Sequence, residues 1–401
     1  MNDNDAVIVA TARTPIGRAR KGSLVDMRPD DLSVQAFKSA LDKAPGLELA
    51  EVEDLYLGCA EPHDEHGQNI ARRVAVLLGG DGLPGSTVNR FCASSLQATR
   101  MAFHAIKAGE GNAYLVGGVE CVSRYGDIGM SEHPGFARAA AQAKETAESG
   151  RPWQDPRSSS RLPDIYLQMG YTAEFVARQT GTSRKDQDEY AALSQRRAQT
   201  AISSGFFARE TVPVVLPDGR VVDKDDSPRA GTTVEGLSQL NPSFVQDGTV
   251  TAGNACPLND GASAAVVMSA SRARELGLAS LARIVSSGVS ALSPEIMGLG
   301  PVDASEMALR RAGLGIGDMD IVELNEAFAA QVVPSARKLG IDFEKLNPHG
   351  GAIALGHPFG STGVRMLTTL INGLETKDGE FGLATMCVGG GQGMAMVIER
   401  L

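Results

Sequence analysis

Four stretches of the chain carry side chains that can attack, shuttle a proton or polarise a carbonyl. The first is Ser86-Thr87-Val88-Asn89-Arg90-Phe91-Cys92-Ala93-Ser94-Ser95-Leu96-Gln97-Ala98. A β-branched lead-in runs into small residues, and Leu96, Ala98, Met101, Ala102, Ala105 and Ile106 then recur at helical spacing, which predicts a strand, a tight turn and a buried helix. Cys92 stands just before that helix's N-terminus, where unpaired N–H groups and the helix dipole favour a thiolate, so it is a candidate nucleophile. Taken alone, it reads equally well as a small buried hydrophobe. In the second stretch, His357 lies among glycines 350, 351, 356, 360 and 363. An imidazole that changes charge near neutral pH suits the base a thiol needs, although histidines in glycine-rich loops also serve structure.

The third stretch, Met386-Cys387-Val388-Gly389-Gly390-Gly391-Gln392-Gly393, follows a strand-like run. It is no dinucleotide fingerprint, because Met394 stands where the last glycine is required. Its backbone N–H groups suit a developing oxyanion instead. The fourth, Glu323-Leu324-Asn325-Glu326-Ala327-Phe328, offers Asn325 at a strand end, either to polarise a carbonyl through its amide or an ordered water, or to cap a helix.

The elements around these stretches alternate. Residues 6–12 read as a strand, 32–44 as a helix, 54–58 as a strand, then comes the Cys92 unit and a strand from 113. Such alternation implies a sheet with helices on its faces. From about 121 to 249 the composition shifts to Ala, Arg, Gln, Glu and Ser with several prolines and an amphipathic helix at 186–204, as expected of an inserted, helical and loop-rich unit. Alternation resumes near 261, and a second half begins near 282. The halves echo one another. Val52–Ala60 has a counterpart in Met319–Ala327, and the approach to Cys92 has one in the segment from Leu346 to Ala352 that leads to Gly363 and Val364. Internal duplication follows, with a ligand cleft between the halves.

Composition bounds the function. The chain has 401 residues, 42% hydrophobic and 21% charged, which suits a globular protein with two core-bearing units. A net charge of −10 and the lack of any Lys/Arg run argue against nucleic-acid binding. No apolar stretch reaches the roughly 18 residues of a membrane helix. An acidic start followed directly by a strand does not read as a signal peptide, so a cytoplasmic location is expected. Five widely spaced cysteines suggest neither disulfides nor a metal site, and Cys59 and Cys121 read as packing residues.

Taken together, the motifs resemble those of the thiolases. Val88-Asn89-Arg90-Phe91-Cys92-Ala93-Ser94-Ser95, Thr251-Ala252-Gly253-Asn254-Ala255-Cys256-Pro257-Leu258-Asn259-Asp260-Gly261-Ala262, Asn325-Glu326-Ala327-Phe328, Gly350-Gly351-Ala352-Ile353-Ala354-Leu355-Gly356-His357-Pro358 and Cys387-Val388-Gly389-Gly390-Gly391 follow in that family's order and spacing, essentially end to end. The resemblance implies an α/β thiolase fold: two duplicated βαβαβαββ halves in a five-layer αβαβα sandwich with an inserted loop domain. Residues 1–120 plus 250–270 would form the N-terminal half, 121–249 the loop domain and 271–401 the C-terminal half.

It also implies an acyl-CoA C-acyltransferase that cleaves 3-ketoacyl-CoA with coenzyme A or condenses two acyl-CoAs, in fatty acid β-oxidation or related metabolism. No bound cofactor or metal is expected; coenzyme A thioesters are the substrates and a homodimer or homotetramer the assembly. By resemblance Cys92 takes the acyl group, His357 activates it, and Cys387 moves the α-proton. Asn325 orders a water that stabilises the enolate with His357 Nε2, and the N–H groups of Cys92 and Gly389 form a second oxyanion hole. Arg229 matches a residue near the nucleotide of coenzyme A, and Met169, Met297, Ala327 and Phe328 line the acyl and pantetheine path. Two departures leave the acyl length open: Cys256 replaces a serine that contacts pantetheine, and Gln168 a histidine of short-chain members. Ser95 replaces a glycine and bears on helix packing. The alternatives are a carrier-protein ketosynthase, disfavoured by Asn325, and a non-catalytic acyl-CoA-binding protein on the same fold.

Overall fold

The computed structural model describes residues 1–126 and 132–401. The N-terminal half supplies strands β1 (Ala6–Arg13), β2 (Asp54–Gly58), β3 (Gly85–Val88), β4 (Ala113–Cys121) and β5 (Asn259–Ser269), with helices α1 (Pro29–Asp42), α2 (Ile70–Leu77) and α3 (Ser94–Ala108) between them. Between β4 and β5 the chain leaves the sheet to form α4 (Ala137–Glu148), α5 (Met169–Thr180), α6 (Arg184–Ser203) and a two-stranded ribbon. Ser183 starts α6 two residues earlier than the periodicity predicts, because its Oγ accepts the Asp186 N–H while Asp186 accepts the Ser183 N–H.

The C-terminal half contributes β6 (Ala282–Ala291), α7 (Gly300–Ala312), β7 (Ile321–Leu324), α8 (Ala329–Leu339), α9 (Thr362–Lys377), β8 (Phe381–Val388) and β9 (Gln392–Arg400). Strands run in the order β7-β8-β9-β6-β1-β5-β4-β2-β3, the halves joining where Val7 and Ile8 pair with Arg283 and Ala282. The duplication is imperfect. The counterpart of β3 is reduced to a parallel bridge of Leu346 to Val322, after which Asn347 turns at φ +42° before Pro348. The Asn347 side chain substitutes for the missing strand, accepting the Leu324 N–H at 2.8 Å and donating to the Leu324 carbonyl at 2.8 Å. This keeps the buried backbone of β7 satisfied.

Three apolar clusters stack through the molecule. In the middle, Leu96 and Ala102 of α3 and Leu367 of α9 pack between Val116 and Val267 of one half and Met386 and Met396 of the other. Phe37 and Val74 of α1 and α2 cover the outer face of the first half, where Cys59 and Cys121 are indeed buried packing residues. Ala308 and Val332 of α7 and α8 cover the outer face of the second half. The order helix, sheet, helix, sheet, helix is the expected five-layer sandwich. Close approach of α3 and α9 depends on Gly363: a Cβ there would lie 2.4 Å from the Leu96 nitrogen. Ser95 ties the same helices, its Oγ accepting the Val364 N–H at 3.0 Å. The N-termini of both helices thereby reach one cleft.

Candidate active site

β3 ends at Val88, and a single 3-10 turn, Phe91–Ala93, leads into α3. Polar residues of the motif hold that turn. Asn89 Oδ1 accepts the Phe91 N–H at 2.8 Å and its amide donates to the Ala60 carbonyl at 3.0 Å, while Ser94 Oγ accepts the Arg90 N–H at 2.9 Å and donates to the Phe91 carbonyl at 2.6 Å. Arg90 reaches across to Gln392 Oε1 at 2.7 Å, locking the turn to the glycine-rich loop of the other half. Phe91 takes a φ of +43°, a left-handed value that bends the chain sharply ahead of the nucleophile candidate.

The helix end that favours a thiolate at Cys92 is opposed by burial. Although the residue is partly open to solvent, protein surrounds its sulfur, and that burial pushes the thiol up to about 12. The backbone N–H groups of Gly389 and of Cys92 itself act in the opposite direction. Burial outweighs them and the helix end. The same two N–H groups are those the family resemblance implied for an oxyanion hole.

Cys387 lies at the end of β8, buried, and receives the Gln331 amide at 2.8 Å. Burial and then the neighbouring Cys92 raise the thiols of both Cys387 and Cys256. The turn bearing Cys92, from the first half, packs against the strand ending at Cys387, from the second, and Cys256 shares the apolar cluster of Cys387.

His357 is buried, and its bonds fix a tautomer. Thr362 Oγ1 lies 2.8 Å from the Pro358 carbonyl and 2.7 Å from His357 Nδ1. The hydroxyl has one proton, given to the carbonyl, so it accepts from Nδ1–H and leaves Nε2 with its lone pair. Asn325 Nδ2 donates to that Nε2 at 3.2 Å. Burial, assisted by Arg365, lowers the imidazole to about 3 and keeps it neutral. The His357 N–H donates to Asn259 Oδ1 at 2.9 Å, and buried Glu120 accepts the N–H groups of Ala60 and Gly360, each at 2.8 Å. Glu120 therefore staples the loops on both sides of the cleft, where the Cys92 turn packs against Phe359–Ser361 and the end of β8.

The proposed lining residues divide. Met169, Met297, Ala327 and Phe328 form one apolar cluster with Cys256 and Cys387, joined by Phe244. Cys256 is held there by its N–H donating to the Ala327 carbonyl at 3.0 Å. Gln168 is exposed at the start of α5, where its side chain makes no cap hydrogen bond. Arg229 stands apart and exposed, beside a cavity of about 420 Å³ lined also by Gln195, Arg196 and Thr232. Glu326, next to Asn325, turns away and accepts from Tyr190, Ser194, Asn347 and the Ile353 N–H, so it builds the wall rather than the site. Thr362, Asn259, Glu120, Arg90 and Gln331 were not singled out in the sequence. Only their position within the motifs, for Thr362, Asn259 and Arg90, could have drawn attention. Among the described residues no group of three or more His, Cys, Asp or Glu could hold a metal ion, and no helix is long and apolar enough to cross a membrane.

Comparison with known proteins accounts for the whole chain. Residues 6–271 match the thiolase N-terminal domain and residues 278–400 the thiolase C-terminal domain. The chain is 47% identical over 410 residues to a 3-ketoacyl-CoA thiolase of Aeromonas salmonicida, covering 99% of this chain and 100% of that one. It is 46% identical over 406 residues to a 3-ketoacyl-CoA thiolase of Cronobacter sakazakii, covering 98% and 99%. The crystal structure of the Bacillus anthracis acetyl-CoA acetyltransferase superposes with a TM-score of 0.86 at 38% identity, over 99% of each chain.

Proposed function

The chain belongs to the thiolase family and is an acyl-CoA C-acyltransferase; from that premise we propose that it cleaves 3-ketoacyl-CoA by thiolysis, using Cys92 as nucleophile and Cys387 as the group that moves the α-proton. One observation carries the assignment: the turn that bears Cys92 packs against the strand whose end bears Cys387, the two delivered by opposite halves, and Cys387 lies in the Met169–Met297–Phe328 cluster.

In the condensing direction the chemistry runs as follows. Cys92 Sγ attacks the thioester carbonyl as its proton passes to His357 Nε2, the developing oxyanion is held by the N–H groups of Cys92 and Gly389, and coenzyme A departs as a thiolate that takes up the Cys387 proton, so that Cys387 becomes the thiolate and His357 keeps the proton on Nε2. Burial raises the Cys92 thiol and lowers the imidazole, so moving that proton ahead of attack is strongly uphill. Proton transfer is therefore coupled to carbon–sulfur bond formation. A second acyl-CoA then loses an α-proton to the Cys387 thiolate, giving thiol and enolate. The enolate oxygen is stabilised by His357 Nε2–H and a water on Asn325, whose Oδ1 is buried without a partner among the described residues. Attack of the enolate on acyl-Cys92 forms the carbon–carbon bond and expels the Cys92 thiolate, which takes its proton back from His357 Nε2; thiolysis is the reverse.

The names of the full-length relatives support the degradative direction and a place in fatty acid β-oxidation, and lend nothing to the non-catalytic alternative. The apolar lining suits an acyl tail, with Cys256 and Gln168 setting its length, and the cavity beside Arg229 suits the nucleotide of coenzyme A. No bound cofactor, a cytoplasmic site of action and a homo-oligomer complete the reading.

Deuterium uptake into the methyl group of acetyl-CoA tests it. Cys387→Ser should lose exchange by about a hundredfold or more, since a hydroxyl is a far weaker base, while acetylation of Cys92, followed by mass, stays within a few-fold. Unchanged exchange in that variant would mean that another base moves the proton.

A further inference from the structure

We propose that Gln331 is a positioning residue that tunes Cys387, its side-chain amide holding the sulfur and favouring the thiolate. The inference rests on the assignment of Cys387 above and deepens it.

Gln331 sits in the first turn of α8 and is 1% exposed. Its Nε2 lies 2.8 Å from Cys387 Sγ, and its Oε1 is buried with no hydrogen-bond partner among the described residues. An amide buried half-satisfied is costly, and an apolar residue would fill that space at less expense. The fold also makes room for it. Gly298 lies against the side chain, and a Cβ there would stand 2.6 Å from Oε1 and 2.7 Å from the Gln331 Cβ.

The surroundings give the amide its purpose. Cys387 shares its apolar cluster with Met297, Phe328, Ala327 and Cys256, none of which offers a charge to stabilise a thiolate. An N–H donor aimed at the sulfur favours the ionised form. Burial and the other cysteines act against it. A half-turn of the amide would present Oε1, which accepts S–H, so the same side chain can partner Cys387 after it has taken the α-proton. Donor and acceptor at one reach suit a group that alternates between base and acid.

Two readouts test this. The first needs no turnover: at fixed pH below its pKa, the alkylation rate of Cys387 follows its thiolate fraction, and iodoacetamide labelling quantified by peptide mass gives Cys387 relative to Cys256 in one sample. Gln331→Met, similar in shape but without the donor, should lower that ratio about tenfold at pH 8, and Gln331→Glu, which adds a like charge, should lower it further. The second is methyl deuterium exchange with acetyl-CoA. Its rising pH limb should move up by about one unit in Gln331→Met and more in Gln331→Glu, with acetylation of Cys92 within about threefold of wild type. A residue that merely packs would leave the limb in place and would not rank Glu below Met. Labelling ratios and pH limbs equal to wild type in both variants would overturn the inference. Absent exchange in wild type with the labelling ratio still shifted would instead remove the assigned role of Cys387 while upholding the effect of Gln331. Should Gln331→Met fail to fold, as judged by circular dichroism, the near-isosteric Gln331→Glu gives both readouts.

Discussion

At the scale of single residues, burial opposes charge on both Cys92 and His357, so the proposed chemistry couples proton transfer to bond formation. Cys92 rests as a thiol and His357 as a neutral base, so alkylation of Cys92 by iodoacetamide should climb about tenfold per pH unit through pH 9 without levelling. Cys92 should still label before Cys59 and Cys121, which are fully buried, for reasons of access and not of acidity. A plateau near neutral pH, read by peptide mass, would contradict the raised thiol. The pair at Nε2 predicts a second result. His357→Ala should slow both acetylation of Cys92 and carbon–carbon bond chemistry by about a hundredfold or more, whereas Asn325→Ala should leave acetylation within a few-fold and slow only the enolate step. Pre-steady-state acetylation measured beside condensation rates separates the two; equal loss in the acetylation phase would show that the amide serves the nucleophile too.

At the scale of elements, the site depends on how closely α3 and α9 approach, since their N-termini present Cys92 and the loop after His357. Gly363 allows that approach, the Leu96 nitrogen lying 2.4 Å and the Leu96 Cβ 2.7 Å from where a side chain would begin. Gly363→Ala should therefore cost about 1–3 kcal/mol in urea unfolding by forcing the helices apart. It should also reduce kcat about tenfold or more, because a small displacement separates the turn at Cys92 from its partners. A variant that lost stability while keeping full kcat would show that the cleft tolerates helix movement. Element boundaries were largely legible beforehand. The strands at 54–58 and from 6 and 113 fall where alternation placed them, because apolar runs bounded by turn residues leave few alternatives. The segment from Leu346, which the duplication pairs with the approach to Cys92, makes one bridge and no strand, and the Asn347 side chain, not a main-chain neighbour, satisfies Leu324.

At the scale of the whole molecule, three imidazoles are kept neutral by burial: His66 at about 4, His349 at about 4 and His357 at about 3. Each titrates near 6.5 once unfolded, so the unfolded chain binds more protons below that pH. Their contribution is complete above about pH 6.5 and is lost as the pH falls toward 4, by about 3 kcal/mol for His66. Glu323, raised to about 8 by burial, acts with the opposite sign between 4.5 and 8. Comparing a variant with wild type removes that background. His66→Gln should flatten the fall of the urea midpoint between pH 6.5 and 4.5; parallel curves for the two proteins would show that His66 is not held neutral.

By itself, the sequence determined which side chains could do chemistry, the alternation of strand and helix, the duplication and the family, because these are local patterns repeated in a fixed order. Cys92, His357, Cys387 and Asn325 were all legible within short motifs. The tertiary structure alone decided their chemical state. A helix end argues for a thiolate at Cys92, yet the protein closing around the sulfur raises it, and burial is a property of distant segments brought together. The same holds for the supports: Glu120 reaches Gly360 across 240 positions, Asn259 reaches His357 across 98 and Gln331 reaches Cys387 across 56. No local pattern encodes such pairs, since each joins residues far apart in the sequence that only the folded chain brings to one cleft.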